Sequence, residues 1–233
     1  MHIPGQYLCP YTCLASFAVM IPVWIVTVKK IKKTLKPEHI KAIALGSAFS
    51  FAVMMLNVPI PGGSTGHAIG AVLLSILFGP YISALAVTIA LAVQALMFGD
   101  GGINTFAVNS FTIAYVTSFS GFYLYKYLLK KLPHKPFMRI AASGISSYCS
   151  IVFAAFITGL ILGLQPILAH TANGTPLYFP YSLDVSIPAM VSEHILYFGW
   201  AEAFITMIMS ALLLNEKSHL FNLVKKVDTI DVK

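Results

Sequence analysis

The chain has 233 residues, of which 58% are hydrophobic and only 10% are charged. Because a soluble domain carries roughly 25% charged residues, this composition excludes a water-facing globular protein and predicts an integral membrane protein. The formal net charge of +7 does not indicate nucleic-acid binding, since the sequence contains no soluble basic domain that could carry such a surface.

The first four residues, Met1-His2-Ile3-Pro4, contain a pattern that can chelate a metal ion. A histidine at position 2 brings together the α-amine of Met1, the backbone amide nitrogen of His2 and the Nδ1 atom of its ring. The two chelate rings share the amide nitrogen and lie nearly flat. A fourth nitrogen completes a square plane, which suits Ni(II) or Cu(II) but not Zn(II). The alternative interpretation is an ordinary frayed terminus.

The fourth nitrogen is expected from His67, which follows a glycine- and proline-rich run at residues 59–66. His170 is the alternative imidazole. Prolines stiffen such a loop and glycines let backbones approach closely, so the run is typical of a shaped loop, either as ordinary turn chemistry or as part of a site.

Seven apolar runs are candidates for membrane helices. A helix that crosses about 30 Å of hydrocarbon needs roughly 20 apolar residues, and the third run is shorter because it ends at the Gly79-Pro80 break. A short helix is tolerated where it packs in protein or lines a site. The fold is therefore predicted to be an all-α integral membrane protein of about seven transmembrane helices, at residues 10–29, 41–56, 67–78, 80–98, 106–129, 137–165 and 188–214.

The basic residues predict the orientation of these helices. All 15 lysines and arginines lie in or beside the segments 29–41 and 126–139 and in the tail. With seven spans these segments share one side, which the positive-inside rule identifies as the cytoplasm. We therefore expect a transmembrane domain at residues 1–215 in the cell membrane, a cytoplasmic tail at 216–233, and no cleavable signal peptide.

The opposite, outer side then carries the N-terminus together with His67, on a face without lysine or arginine that would repel a divalent cation. Ser64, Asp100 and Asn109 are candidates for fixing the amine or the His67 ring from outside the metal's ligand shell, with loop capping as the alternative. Two further candidates lie in the last span, where ionisable residues are functional hypotheses and helix pairing is the alternative: His194 and Glu202.

The run Gly62-Gly63-Ser64-Thr65-Gly66 also fits the pattern G-x-S-x-G. In a hydrolase this pattern marks a nucleophile, but it requires a strand before it and a helix after it in an α/β sheet, and no buried strand is predicted here. An intramembrane serine hydrolase with His194 as base is therefore the less favoured alternative, and the protein is not expected to be an enzyme. No P-loop motif for ATP hydrolysis is present.

Several segments, from the first residue to about residue 215, match the pattern of a known family. They are Met1-His2-Ile3-Pro4, the run from Asn57 to His67, Phe98-Gly99-Asp100-Gly101-Gly102-Ile103, Asn109 with Phe111, and the late His194-Ile195-Leu196, Gly199 and Glu202-Ala203. Together they resemble the CbiM/NikM family, the substrate-binding S components of energy-coupling-factor (ECF) transporters for nickel or cobalt.

The resemblance implies seven membrane helices and a metal held by the Met1 amine, the His2 amide and imidazole, and His67. It also implies partners: a transmembrane T component, a pair of cytoplasmic ATPases and often a small accessory membrane subunit. The loop before His67 resembles the nickel branch more than the cobalt branch, so Ni(II) is the expected substrate and Co(II) the alternative. Members commonly have an acidic residue where this chain has Gly5, which removes one expected carboxylate.

The alternative within transport is an S component for an organic vitamin. Such a protein needs a cavity lined by aromatic side chains. The residues available for it are Tyr7, Phe106, Phe111, Tyr115 and Trp200.

Overall fold

The computed structural model describes residues 1–33, 36–60, 64–133 and 135–213, with the backbone alone at residues 38, 59, 60, 64 and 65. The predicted cytoplasmic tail at 216–233 lies outside the described residues. The division into a transmembrane domain and a tail therefore stays a prediction.

Seven helical segments follow one another along the described part of the chain. Four of them begin at a proline, whose missing N–H is one of the donors that a helix start leaves unpaired in any case. The segments are α1 (Pro10–Lys33), α2 (Pro37–Met54), α3 (Ala71–Phe78), α4 (Pro80–Phe98), α5 (residues 106–131), α6 (Pro136–Leu168) and α7 (Leu183–Leu213).

Four of these helices, α1, α4, α6 and α7, are long and apolar enough to cross a membrane. The apolar part of α2, His39–Met54, is shorter, and α3 has only 8 residues, which is about 12 Å of helix. The helical membrane fold and the short third helix are therefore confirmed, but the structure has four clear spans among the seven helices.

A short antiparallel hairpin precedes His67 and was not predicted. Its strands are β1 (Val58–Ile60) and β2 (Ser64–Gly66), so His67 follows directly after β2. Gly66 is required at that point because a Cβ there would lie 1.8 Å from the ring of Phe198 in α7. The hairpin thus packs its last residue against α7 and brings His67 into the bundle.

The N-terminus lies inside the bundle. Met1 is 0% exposed, and Ile3 and Leu8 are 1% exposed. They belong to the same hydrophobic core as side chains from α4, α5 and α6. A frayed end is therefore excluded, and the first residues fold as part of the core.

Three of the helices each contain a π-helical segment within the described residues: Gln94–Phe98 in α4, Ser110–Val116 in α5 and His194–Phe198 in α7. Each segment begins at a polar residue that has a buried side-chain atom without a hydrogen-bond partner in the structure. Such segments are rare and occur frequently at functional sites.

One end of the bundle gathers the N-terminal segment and the loops that the sequence predicts on the outer side. Phe179 N–H donates to the Tyr7 carbonyl oxygen at 3.2 Å, and Asn104 Nδ2 donates to the Gly5 carbonyl oxygen at 2.7 Å. The lysines in the last turns of α1 and α5 lie at the other end. The separation of the two ends agrees with the predicted topology, and which end faces the cytoplasm stays a prediction.

Candidate metal centre

The backbone of Ile3 is clamped by two side chains at the start of α5. Asn109 Oδ1 accepts from Ile3 N–H at 2.9 Å, and Asn109 Nδ2 donates to the Ile3 carbonyl oxygen at 3.1 Å. Thr105 Oγ1 donates to the same oxygen at 2.7 Å. All three bonds are buried, so they fix the direction in which Met1 and His2 enter the bundle. Asn109 therefore anchors the terminal segment rather than the His67 ring, and Thr105 was not singled out from the sequence.

The loop after α4 closes over the terminal segment through its glycines. Gly101 has φ 81°, and a Cβ on it would lie 3.5 Å from the His2 ring. A Cβ on Gly102 would lie 2.6 Å from Gly5 Cα, and one on Gly5 would lie 2.6 Å from Asn104 Oδ1. A side chain at the position of Gly5 would therefore displace the amide group of Asn104.

The two sequence-predicted imidazoles meet in the interior. His2 Nδ1 and His67 Nε2 lie 2.9 Å apart. His67 Nδ1 lies 3.0 Å from the Ala68 carbonyl oxygen; because a carbonyl only accepts, Nδ1 carries the proton and Nε2 presents a lone pair to His2. Adjacent donors in a square plane with metal–nitrogen bonds of about 2.0 Å lie about 2.8 Å apart. The observed 2.9 Å is the length of an N–H···N hydrogen bond, and it also matches the separation of adjacent nitrogens in such a plane.

The buried nitrogens are electrically neutral near pH 7. Burial, opposed by the Asp100 carboxylate, lowers the pKa of the Met1 amine to about 5. Burial and the adjacent amine lower the pKa of His2 to about 3 and hold the pKa of His67 well below its usual value. A protonated nitrogen cannot bind a metal. This environment keeps the amine and the two imidazoles in the unprotonated form that metal binding requires.

Asp100 stands at the edge of this cluster. Its Oδ2 lies 3.6 Å from His2 Nδ1 and has no hydrogen-bond partner among the described residues. Burial raises the pKa of this carboxyl, and the nearby Met1 amine opposes that shift. The structure therefore places Asp100 beside His2, and its predicted role in supporting a metal site stays a prediction.

Gln94, at the start of the π-helical segment of α4, was missed in the sequence. Its amide lies beside the His2 ring, where it opposes the lowering of the His2 pKa. Both polar atoms of Gln94 and His2 Nε2 are buried without a hydrogen bond that meets standard geometry. Chelation through Nδ1 needs the proton on Nε2, and Gln94 is the polar side chain beside the ring that could accept a hydrogen bond from it. A lone glutamine in an apolar run gives no sequence signal for this role.

Glu202 holds the backbone immediately after His67. Its Oε2 accepts from Ile69 N–H at 2.6 Å, and its Oε1 accepts from Gly70 N–H at 2.9 Å. The carboxylate is 1% exposed and belongs to α7, so it ties that helix to the segment that carries His67. Glu202 therefore links α7 to another segment, as the helix-pairing interpretation proposed, but it bonds to backbone N–H groups and not to a second side chain.

His194 lies in the same helix and is 0% exposed. Its Nδ1 lies 2.7 Å from the Met190 carbonyl oxygen, one turn earlier in α7, so the described bond is within its own helix and does not pair two helices. Its Nε2 has no partner in the structure. The side chain of Ser64 lies outside the described residues, and the role predicted for it stays a prediction.

The arrangement can bind a metal only with help from the main chain. No group of three His, Cys, Asp or Glu side chains in the described ranges is close enough together to hold an ion. The two imidazoles lie together with the Met1 amine and the His2 backbone, and these supply the other nitrogens that a planar site needs.

The aromatic residues considered for a vitamin cavity lie in separate places. Trp200 is 53% exposed on α7, Tyr7 packs against Phe179 with ring centroids 5.3 Å apart, and Phe111 and Tyr115 line a groove beside α1. They do not surround one enclosed site, so no observation favours the vitamin alternative.

Comparison with known proteins decides the family. The model of the CbiM family, described as a cobalt uptake substrate-specific transmembrane region, matches residues 2–220. The chain belongs to the CbiM family. The resemblance seen in the sequence is thereby confirmed, and the chain is a membrane protein of a metal-transport family. The serine hydrolase alternative is excluded, because this family and its named relatives are metal transport proteins and not enzymes.

Three curated relatives show how the chain compares in length. It is 44% identical to the probable fused nickel transport protein LarMN of Lactiplantibacillus plantarum, covering 90% of this chain and 63% of that protein. It is 39% identical to the fused nickel transport protein NikMN of Rhodobacter capsulatus, covering 88% and 59%. It is 41% identical to the putative metal transport protein MJ1569 of Methanocaldococcus jannaschii, covering 90% and 89%. The chain thus spans about three fifths of the two fused proteins.

Two crystal structures share the fold. A truncated transition metal transporter is 48% identical with a TM-score of 0.89, covering 94% of this chain and 100% of that chain. A second transition metal transporter is also 48% identical, with a TM-score of 0.86 and 90% of each chain covered.

Proposed function

We propose that this CbiM-family protein is the substrate-binding S component of an ECF transporter and that it binds Ni(II) for import. The observation that carries the proposal is the 2.9 Å approach of His2 Nδ1 to His67 Nε2 beside a chain terminus that is fully buried. Burying the Met1 amine costs free energy, because a charged or polar group is removed from water. Binding of a metal ion to the amine would offset that cost.

The proposed ligands are the Met1 amine, the amide nitrogen and Nδ1 of His2, and Nε2 of His67. The ion displaces the amide proton as it binds, and the four nitrogens form a square plane of the kind that Ni(II) accepts. Gln94 and Asp100 support the His2 ring, and Glu202 holds the backbone after His67. The bulky His2 side chain protects Met1 from removal by an aminopeptidase.

Nickel rather than cobalt is supported by the relatives. The two named as fused nickel transport proteins match 90% and 88% of this chain at 44% and 39% identity. A cobalt transport protein CbiM of Streptococcus sanguinis matches 54% of the chain at 36% identity. Co(II) is the competitor that a metal analysis must distinguish, and either ion is the transported substrate and not a resident cofactor.

The proposed partners are a membrane T component, a pair of cytoplasmic ATPases and a small accessory membrane subunit. These partners are proposed from the resemblance to the CbiM/NikM family. The metal-binding end faces outwards in the cell membrane, and the end with the lysines of α1 and α5 faces the cytoplasm.

The decisive experiment changes the terminus by one residue. Two preparations are released from the same cleavable leader, one beginning at Met1 and one with a single glycine before it, and intact mass confirms each. We expect the Met1 form to bind Ni(II) tightly with the yellow absorption of a low-spin planar complex. The extended form should lose more affinity than the roughly 10- to 100-fold typical of losing an outer-shell partner.

Equal Ni(II) affinity in the two preparations would show that the amine is not a ligand. A paramagnetic, six-coordinate spectrum in the Met1 form would contradict the planar site. Metal analysis of the untagged protein, purified from cells supplied with both metals, distinguishes nickel from cobalt.

A further inference from the structure

A groove runs along one side of the bundle between α1, α4 and α5. Its volume is about 500 Å³. Two of its lining residues, Val26 and Phe111, are 49% and 37% exposed on the outside of the bundle, so the groove opens sideways and not into the core. Its walls include Val23, Val26, Tyr81, Phe111, Tyr115 and Phe119.

The walls of this groove present carbon and almost no polar atoms. The Tyr115 hydroxyl is occupied, because it donates to Thr27 Oγ1 at 2.9 Å. Phe119 packs at right angles against Tyr81 and parallel to Tyr115, with ring centroids 5.0 and 6.0 Å away. These three rings form a rigid wall opposite α1. In a membrane protein, an outward apolar groove with rigid walls accommodates an acyl chain.

One end of the groove carries a positive charge. Lys30 Nζ donates to the Tyr81 hydroxyl oxygen at 2.7 Å and lies 4.6 Å above the centre of that ring. Lys30 is one helical turn after Val26, so both lie on the same face of α1. Among the described residues, the ion-pair contact joins His2 to Asp100 and does not include Lys30. No described carboxylate therefore neutralises the Lys30 ammonium.

We propose that this groove binds one anionic phospholipid, with an acyl chain along α1 and the headgroup phosphate at Lys30. A lipid's acyl chain already lies in hydrocarbon before the lipid binds, so burying the acyl chain in the groove gives little preference for one lipid over another. The preference must come from the headgroup. A lysine near an anionic lipid surface favours binding by about fivefold, and Lys30 is already positioned by Tyr81. The proposal does not depend on the metal site.

The test measures the first bound lipid by native mass spectrometry of the delipidated protein. Phosphatidylglycerol and phosphatidylcholine with the same acyl chains are titrated separately. We expect the wild-type protein to bind phosphatidylglycerol about fivefold more tightly. Lys30→Gln should remove this preference, and Lys30→Arg should retain it. Lys130→Gln, an exposed lysine of α5 that does not line the groove, is the matched charge control and should behave as wild type.

A second pair of variants tests the groove itself. Val26→Trp fills it and should weaken the binding of both lipids, whereas Ile25→Trp adds the same side chain at a position of α1 that is 49% exposed and does not line the groove. Every variant is first shown to elute from gel filtration in detergent and to unfold thermally as the wild type does, so a folding defect is recognised independently of the metal site. Equal affinities for the two lipids, an unchanged preference in Lys30→Gln, or equal effects of the two tryptophans would each overturn the proposal.

Discussion

Replacing Glu202 by glutamine should damage the metal site although Glu202 touches no proposed ligand. The carboxylate accepts from Ile69 N–H and Gly70 N–H at 2.6 and 2.9 Å, and these residues follow His67 by two and three positions. A glutamine offers one acceptor oxygen and turns an NH₂ group towards the other N–H. The variant therefore loses one bond and places two donors face to face in a buried site.

The magnitude follows from that count. A hydrogen bond to a charged group contributes about 1.5–3 kcal/mol, and a buried donor without a partner costs about 1–3 kcal/mol. These overlap in a single site, so we expect a loss of about 2–3 kcal/mol in the free energy of unfolding. For a chain of this size each kcal/mol shifts Tm by about 2–4 °C, which predicts a fall of about 5 °C or more.

The assay combines thermal unfolding in detergent with a Ni(II) titration. We expect the lower Tm together with a loss of nickel affinity of about tenfold, the smaller of the effects typical of outer-shell partners. Asp184→Asn, an exposed carboxylate in the first turn of the same helix whose described bond is to the Ser182 hydroxyl, is the control and should change both values less. If Glu202→Gln keeps the wild-type Tm and the wild-type nickel affinity, the hydrogen bonds from Ile69 and Gly70 to Glu202 do not position His67.

Three further predictions address the site. His67→Ala should lose most of the Ni(II) affinity, whereas His170→Ala, at an exposed position, should not; the reverse result in a titration would name a different fourth ligand. Because the pKa of the Met1 amine is about 5, the amine is neutral at pH 7 and nickel should release close to one proton, from the amide of the second residue. Calorimetry in buffers of different protonation enthalpy measures this number, and affinity should fall more steeply once the pH drops below about 5; release of two protons at pH 7 contradicts the buried amine. Asn109→Ala removes two hydrogen bonds to Ile3 and should weaken nickel binding while it speeds hydrogen exchange of the Ile3 amide; unchanged exchange would show that Thr105 is sufficient as an anchor.

Parts of the site could be predicted because they depend on local chemistry. The chelating atoms of Met1 and His2 are neighbours along the chain, so their geometry is fixed by covalent structure. The topology that the lysine positions predict places His67 on the side of the N-terminus, although it leaves His170 open as the alternative. The structure brings His2 and His67 to 2.9 Å, and it places Asp100 beside them.

Other parts were missed because they depend on contacts between distant segments. The hairpin before His67 has strands of three residues each, too short to show a period in the sequence. Asn109 was expected to fix the Met1 amine or the His67 ring; the structure bonds it to the backbone of Ile3, and a role in metal binding stays a prediction. Gln94 lies beside His2 only because the π-helical segment and the loop after it return the chain to the N-terminus.

The sequence by itself determined that the chain belongs in a membrane, which ends of its helices carry positive charge, and that its first two residues can chelate an ion. These properties follow from composition and from atoms a few bonds apart. The tertiary structure alone decided which carboxylate holds the segment after His67. It alone also showed that the groove between α1, α4 and α5 has Lys30 at one end. Glu202 and Ile69 are 133 residues apart, and no local pattern specifies a bond between a side chain and a backbone group so distant. Only the packing of α7 against the hairpin brings them together.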